Sequence, residues 1–281
     1  MTRLLDIDRA AFDANFAVSP YLMSHSLTDH PLLTVERIAE LADALPADKV
    51  EHNIGKVPAL LPSGEAPRVD SSPGEIARGI ETNGCWMVIK NIEDDPEYAR
   101  LLNDTLDEVM PLVVAAEGGM QGREGFIFLS APDSTTPAHI DPEHNFLLQA
   151  RGTKTMEVGN FPDPDSRQRE LERYYTGGHR NIGWMFEESR EFPLEPGDGI
   201  YVPVHQPHLV RNGPAVSVSL SITWQTPRTV TSQKVHVANA RLRKLGLSPG
   251  APGANAGSDR AKALATRVAQ RLGRTLRARR A

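Results

Sequence analysis

The stretch TTPAHIDPEHNFLLQARGTK, residues 135–154, decides how this chain folds. It contains an H-x-D pair, His139 and Asp141, followed by an apolar run, a turn glycine and a lysine. Side chains alternate between the two faces of a β-strand, so on a strand His139 and Asp141 point to one side while Ile140 points to the other. The pattern therefore predicts two potential metal-ligand atoms that converge on one point.

A second stretch, PGDGIYVPVHQPHLV at residues 196–210, supplies a third candidate ligand. Its turn residues precede a short apolar strand, and His208 follows just past the predicted end of that strand. We expect His208 to lie opposite His139 and Asp141. Two imidazoles and one carboxylate on one face of a metal, with the other positions open, form the ligand set of non-haem Fe(II) oxygenases.

Together the two stretches resemble the JmjC-type, cupin-like Fe(II)/2-oxoglutarate oxygenases, and among them the asparaginyl hydroxylase that inhibits hypoxia-inducible factor. The likeness covers about residues 125–226 and consists of T-P-A-H-x-D at 136–141, N-F at 145–146, Q-x-x-G-x-K at 149–154 and P-G-D-x-x-Y-x-P followed by His208. It implies a mainly β fold with flanking helices, built on a double-stranded β-helix (jelly-roll) core. It also implies an Fe(II)-dependent dioxygenase that uses O₂ and 2-oxoglutarate to hydroxylate a protein side chain or a small metabolite.

The resemblance implies roles for six residues. They are the iron ligands and catalytic residues His139, Asp141 and His208, and the 2-oxoglutarate contacts Lys154, Thr136 and Asn145. The distal carboxylate of 2-oxoglutarate must be buried, and a buried charge needs a partner, which the resemblance implies is Lys154 with the Thr136 hydroxyl beside it. That hydroxylase has a second asparagine where this chain has SLSITW at 219–224, and its tyrosine partner to 2-oxoglutarate has no counterpart that the sequence identifies.

Other histidines offer alternatives. A cupin-style metal site could use His139, His144 and His208. His205 precedes His208 by three residues, and it is either a hydrogen-bond partner of a ligand or a histidine at the rim. His179 is either a substrate contact or a solvent-exposed side chain.

A rival class is a non-enzymatic cupin-like protein that senses a ligand or regulates a partner. Residues 259–281 contain eight Lys or Arg and one Asp, so they carry +7 and the remaining residues −12. Such a tail can contact nucleic acid, although no helix-turn-helix or zinc-finger spacing favours that reading. Leu264, Val268, Leu272 and Leu276 repeat every four residues, which suits homodimerisation through the C-terminal helices.

Composition sets the remaining bounds. A chain of 281 residues with 40% hydrophobic content predicts one catalytic domain with extensions. The single cysteine, Cys85, cannot form an intramolecular disulfide and lies in an apolar run, which indicates a buried thiol. No apolar signal segment begins the chain and no apolar stretch approaches about 18 residues, so we expect a cytoplasmic protein with no membrane contact.

Proline, glycine and polar clusters divide the chain into predicted segments. An N-terminal helical and strand extension, a JmjC/cupin-like core, a C-terminal helix, a linker and a basic helical tail are predicted at 1–120, 121–228, 229–249, 250–258 and 259–281. Core strands are predicted at 126–130, 137–141, 145–150, 153–159, 200–204 and 215–225. Helices are predicted at 34–45, 72–82, 96–109 and 230–247, with Pro111 ending the third. Loops are predicted at 46–70 and 161–191, and the second is expected to form one wall of the active-site mouth.

Overall fold

The computed structural model describes residues 3–61 and 69–278, with side chains as far as Leu272. The strands of this part of the chain are Leu5–Asp6 (β1), Tyr21–His25 (β2), Val50–Ile54 (β3), Cys85–Lys90 (β4), Gln121–Ser130 (β5), Thr135–His139 (β6), His144–Arg151 (β7), Lys154–Asn160 (β8), Glu187–Leu194 (β9), Asp198–Val202 (β10), His208–Asn212 (β11) and Ser217–Gln225 (β12). Its helices are Arg9–Asn15 (α1), Val35–Ala44 (α2), Pro73–Arg78 (α3), Pro96–Glu117 (α4), Pro164–Tyr175 (α5), Pro227–Lys244 (α6) and Ala256–Ala278 (α7).

The strands form two antiparallel sheets that face each other. The larger sheet has the order β1-β2-β10-β7-β12-β5-β4-β3, and the smaller has the order β6-β11-β8-β9. Strands from both sheets share one apolar layer, made by Leu147, Met156, Val158, Phe192, Leu194, Ile200, Val202 and Val210. Two sheets closed over a common core are the architecture of a jelly roll. The predicted mainly β, double-stranded β-helix fold with flanking helices is therefore confirmed.

Helix α4 packs through its apolar stripe into the largest apolar cluster of the protein. Asp95 caps the helix by accepting hydrogen bonds from the backbone N–H groups of Glu97 and Tyr98, and Gly118 ends it at φ +78°. The prediction that Pro111 ends this helix is wrong, because the helix continues to Glu117. Pro111 lies on the exposed side, where water can satisfy the carbonyl that loses its N–H partner.

The six predicted core strands are present, but β1, β2, β3, β9 and β11 were missed. β3 lies inside the predicted loop at 46–70, of which residues 62–68 lie outside the described part of the chain. β9 lies inside the predicted loop at 161–191, which also contains α5. β3 and β9 are edge strands, so they bury little and lack the alternation that marks a half-buried strand. β11 is buried on both faces along most of its five residues, so it also lacks this alternation.

Strands from the N-terminal residues extend the larger sheet at both edges. β2, predicted only as part of the N-terminal extension, pairs with β10, and β4 pairs with β5. The predicted helices at 34–45, 72–82 and 230–247 correspond to α2, α3 and α6. α7 begins inside the predicted linker, and the side chain of Leu276 lies outside the described atoms. In the described ranges, no helix is both long and apolar enough to cross a membrane.

The turn between β7 and β8 delivers Lys154 to the interior. Gly152 in this turn has φ +68°, and a Cβ atom there would lie 2.3 Å from the carbonyl oxygen of Val216. The Gln149 side-chain amide donates hydrogen bonds to the carbonyls of Arg151 and Gly152, at 2.7 and 2.8 Å. Because only glycine combines this backbone conformation with so close an approach, the start of β8 depends on Gly152.

We expect Gly152→Ala to lower the free energy of unfolding by more than about 2 kcal/mol, because it adds left-handed strain and a clash with fixed backbone. Gly118→Ala is the matched control: Gly118 also has positive φ, but a Cβ there meets nothing within 4 Å. Urea unfolding of both variants measures the difference. Equal losses would contradict the steric role of the Val216 carbonyl.

Candidate metal centre and active-site cavity

His139 and His208 are cross-strand partners in the smaller sheet. β6 ends at His139, β11 begins at His208, and the antiparallel register pairs the two residues directly. Their ring centroids lie 4.2 Å apart. His208 therefore lies opposite His139, as expected, although it starts a strand and does not follow one.

Asp141 joins this pair from a turn, because β6 has already ended two residues earlier. Its Oδ2 atom lies 3.6 Å from Nε2 of His139 and 3.5 Å from Nε2 of His208. One donor atom from each residue lies within 4.8 Å of the others. The convergence predicted from the H-x-D spacing is present, but a turn produces it, not strand alternation.

Local hydrogen bonds orient both imidazoles. The Nδ1–H of His139 donates to the carbonyl of Pro137 at 2.7 Å, and the Nδ1–H of His208 donates to the carbonyl of Gln206 at 2.9 Å. A carbonyl can only accept, so the proton resides on Nδ1 and the Nε2 lone pair of each ring faces Asp141. This is the tautomer in which a histidine binds a metal through Nε2.

The charges around Asp141 favour its ionised form. Oδ1 of Asp141 lies 3.3 Å from Nη1 of Arg180, which leaves Oδ2 for the two histidines. Burial alone would raise the pKa of Asp141, but His139, Arg180 and His208 outweigh it and hold that pKa well below its usual range. Burial, followed by the proximity of His139, lowers the pKa of His208 to about 4. A neutral His208 and an ionised carboxylate suit a divalent first-row metal.

Arg180 was not identified from the sequence. It lies in the long excursion between β8 and β9, and no spacing connects it to the H-x-D pair. The backbone explains its position: the carbonyl of Arg180 accepts from the N–H of Ile140, and Asn181 forms a β-bridge with His139. The residues that follow α5 therefore run beside β6.

A cavity of about 170 Å³ adjoins the cluster, and all six predicted site residues line it. Lys154 is 5% exposed, and no side chain in the described ranges forms an ion pair or hydrogen bond with its ammonium group. Burial lowers the pKa of Lys154 to about 7. β11 pairs His208 with Val158 and Asn212 with Lys154, so Lys154 starts about 13 Å along the strand from the histidines. Its long side chain extends into the space between.

The polar residues on the larger-sheet side of the cavity come from β7 and β12. Ser221 Oγ donates to Oδ1 of Asn145 at 2.8 Å, so a serine contacts Asn145 in the strand where the resemblance implies a second asparagine. Tyr174 also lines the cavity, and burial raises its pKa to about 12. Glu143 lines it too, and burial followed by the charge of Asp141 raises the pKa of Glu143 to about 8. Neither Tyr174 nor Glu143 was assigned to the site from the sequence.

The other histidines lie outside the donor cluster. His144 hydrogen-bonds Tyr201 Oη through Nδ1 at 2.7 Å and stacks on Trp224, so the alternative set of His139, His144 and His208 is wrong. His205 is buried, which excludes a rim position, and it contacts the tyrosine at the end of α5. His179 lies at the mouth.

The mouth is a second cavity of about 420 Å³ that shares Lys90, Phe126, Thr136, Tyr174 and Arg180 with the inner one. Residues 178–181 and Tyr174 form one of its sides. The expectation that the 161–191 excursion forms one wall of the mouth is confirmed. A path from solvent to the donor cluster therefore runs between this excursion and the larger sheet.

Comparison with known proteins agrees with this architecture. The JmjC domain family model matches residues 104–231. The structure of ycfD from Escherichia coli matches with a TM-score of 0.55 and 16% identity over 96% of this chain and 69% of that chain. YcfD, a ribosomal oxygenase, matches in complex with cobalt and 2-oxoglutarate (TM-score 0.55, 15% identity, 96% and 68% coverage) and with cobalt and succinic acid (0.50, 16%, 96% and 68%). No curated protein sequence matches the chain.

At these identities the solved structures show a common fold, and the family match supplies the sequence relationship. The narrower resemblance to the asparaginyl hydroxylase that inhibits hypoxia-inducible factor stays a prediction. Residues 104–231 are a JmjC domain, the domain of the JmjC-type 2-oxoglutarate-dependent oxygenases.

Proposed function

We propose that this oxygenase hydroxylates a protein side chain, with His139, Asp141 and His208 as its Fe(II) ligands and Lys154 as the anchor of 2-oxoglutarate. One observation carries the proposal: a buried lysine without a described partner lines the same cavity as a two-histidine, one-carboxylate cluster. An unpaired buried ammonium is costly unless a ligand supplies the counter-charge. A dicarboxylate that also chelates the metal supplies it.

The three ligand residues fit Fe(II) by donor type, tautomer and charge. When bound, the metal and 2-oxoglutarate together activate O₂, giving succinate and CO₂ and inserting one oxygen atom into a substrate C–H bond. The histidines hold Nε2 inward through their backbone hydrogen bonds, and Arg180 holds Oδ1 of Asp141 away from the metal position. The protein therefore presents three donors and leaves one side open.

Lys154 would receive the distal carboxylate of 2-oxoglutarate, with the hydroxyl of Thr136 beside it. Thr136 is 8% exposed and lies on β6, three residues before His139. Asn145 would lie near the C1 end, its Oδ1 held by Ser221. Burial of the ion pair excludes water and strengthens it relative to the same pair at the surface.

A protein substrate is favoured over a metabolite by the shape of the entrance. The inner cavity opens into the larger mouth, which is lined by Trp86, Ile54 and His179 as well as by backbone of the excursion. A cleft that continues outward from the reaction chamber suits a side chain presented by a larger molecule. The ribosomal oxygenases of the same fold are consistent with such a substrate.

The interpretations of the C-terminal residues stay predictions. Leu264, Val268 and Leu272 of α7 are exposed, which is compatible with the predicted dimerisation and with the predicted basic contact surface. The cytoplasmic location also stays a prediction.

The proposed metal site is tested by anaerobic addition of 2-oxoglutarate to Fe(II)-loaded protein. The wild type should develop the weak visible charge-transfer band of a chelated 2-oxo acid, and should form succinate once O₂ is admitted. His139→Ala should lose both signals, whereas His30→Ala, a change far from the cavity, should keep both. Succinate formation that persists in His139→Ala would contradict the ligand assignment.

The substrate class is tested with a cell extract separated by dialysis. The retained fraction should stimulate succinate formation, and protease treatment should abolish that stimulation. Mass spectrometry should then find a peptide that has gained one oxygen atom. Stimulation by the dialysable fraction alone would establish a small-metabolite substrate and overturn this part of the proposal.

The role of Lys154 predicts a pH-dependent affinity for 2-oxoglutarate. Below pH 7 Lys154 is already protonated before 2-oxoglutarate binds, so the affinity should not change with pH. Above pH 7 the binding of 2-oxoglutarate must take up a proton, so the affinity should fall by up to about tenfold per pH unit. Calorimetry of the Co(II)-loaded protein from pH 6.5 to about 9 measures this affinity.

The Lys154→Arg variant stays charged and should lose the pH dependence. The Lys154→Met variant should bind 2-oxoglutarate about 10- to 100-fold more weakly. A flat wild-type profile would exclude Lys154 as the anchor.

A further inference from the structure

Backbone groups of the turn Pro203–Gln206 form hydrogen bonds with two of the three proposed metal ligands, Asp141 and His208. The backbone N–H of His205 donates to the carbonyl of Asp141 at 2.8 Å. The carbonyl of Gln206 accepts the Nδ1–H of His208 at 2.9 Å. A single turn therefore sets the backbone of one ligand and the ring orientation of another.

The third residue of this turn has an unfavourable backbone conformation. A hydrogen bond from the Gln206 N–H to the Pro203 carbonyl, 3.1 Å long, closes the turn, and His205 has φ +65°. Type II turns require a positive φ at this position, and glycine is the residue that adopts it without strain. A histidine here carries strain that glycine would remove, so the side chain must be held by contacts of its own.

Those contacts come from two helices outside the sheets. Nε2 of His205 shares a 2.5 Å hydrogen bond with Oη of Tyr175, the last residue of α5. The ring of His236, from α6, lies flat against Tyr175 at 5.7 Å and edge-on to His205 at 5.9 Å. His205 is 4% exposed and His236 is fully buried. The three rings form a packed unit behind the turn.

We propose that His205 is a positioning residue for the metal centre, through which Tyr175 and α5 hold the Pro203–Gln206 turn in the strained conformation that orients Asp141 and His208. The strained backbone conformation of His205 supports this proposal. Glycine would form the turn more easily, but it would leave the turn unattached to α5. This inference rests on the proposed metal site and adds residues to it that touch neither metal nor substrate.

The same arrangement relates the metal centre to the active-site mouth. Tyr174, the residue before Tyr175 in the sequence, lines both the inner cavity and the mouth. α6 reaches the same region, since the side-chain amide of Gln233 donates to the carbonyl of Pro142, next to Asp141, at 3.2 Å. The outer helices therefore contact the ligand-bearing turns directly.

The test measures Co(II) affinity by titration with cobalt chloride, following the visible ligand-field bands, together with urea unfolding of the metal-free protein. Tyr175→Phe and His205→Gly should each weaken Co(II) binding by about 10- to 100-fold, the usual effect of losing a group that orients a ligand. In the His205→Gly background, Tyr175→Phe should have no further effect, because the two residues act through one hydrogen bond. His205→Asn, which tolerates positive φ but lacks the imidazole ring, should behave like His205→Gly.

Two variants control for the nature of the changes. Glu188→Gly also relieves a left-handed φ, at an exposed position of β9, and Tyr98→Phe also removes a buried hydroxyl hydrogen bond, the one to the Leu32 carbonyl. Both should bind Co(II) as the wild type does. If the wild type binds Co(II) and the Tyr175 and His205 variants bind it equally well, the positioning role is overturned while the metal site stands. If the wild type binds no Co(II), the proposed function fails and the positioning role fails with it.

Discussion

The cross-strand pair of His139 and His208 is the constraint on which the rest of the site depends. Side chains alternate between the faces of a strand, so slipping β11 by one residue against β6 would turn His208 away from the cavity. The register of β11 against β8 then sets how far Lys154 lies from the histidines. One set of pairings in the smaller sheet thus fixes both the donor cluster and the distance to the buried ammonium.

The cavity is also organised by charge. Asp141 is partly buried beside two imidazoles and one guanidinium, which together outweigh the cost of removing a carboxylate from water. Lys154 has no such compensation from the described side chains, and its burial lowers its pKa. Asp141 thus has its charge partners within the protein, whereas Lys154 has none among the described side chains. The cavity is therefore preorganised for a ligand that brings a negative charge to Lys154. The turn glycine Gly152 keeps the lysine in this position.

The helices contribute to the site without supplying any of the three proposed metal ligands. α4 packs into the largest apolar cluster, while α5 contacts the Pro203–Gln206 turn, which orients His208, and α6 contacts Pro142, next to Asp141. Tyr175 and His236 hold the Pro203–Gln206 turn, and the chain leaving α5 places Arg180 against Asp141. The jelly-roll core therefore supplies the donors, and elements between and after its strands set their orientation.

The fold class and the three donor residues were predictable from the sequence, because both depend on local patterns. The spacing of His139 and Asp141, the turn residues before β10, and Gly152 with Lys154 each constrain only a few neighbouring positions. Arg180, Ser221 and Tyr175 were not predictable as parts of the site, because they come close only after distant segments pack together. The sequence also left open whether His144 binds the metal, and whether His205 supports a ligand or lies at the rim. Tertiary packing separated them, since β7 turns His144 toward Tyr201 and Trp224 while the strained turn places His205 behind the ligands. Local spacing determines which atoms can bind a metal, and only the packing of sheets and helices decides which of them meet.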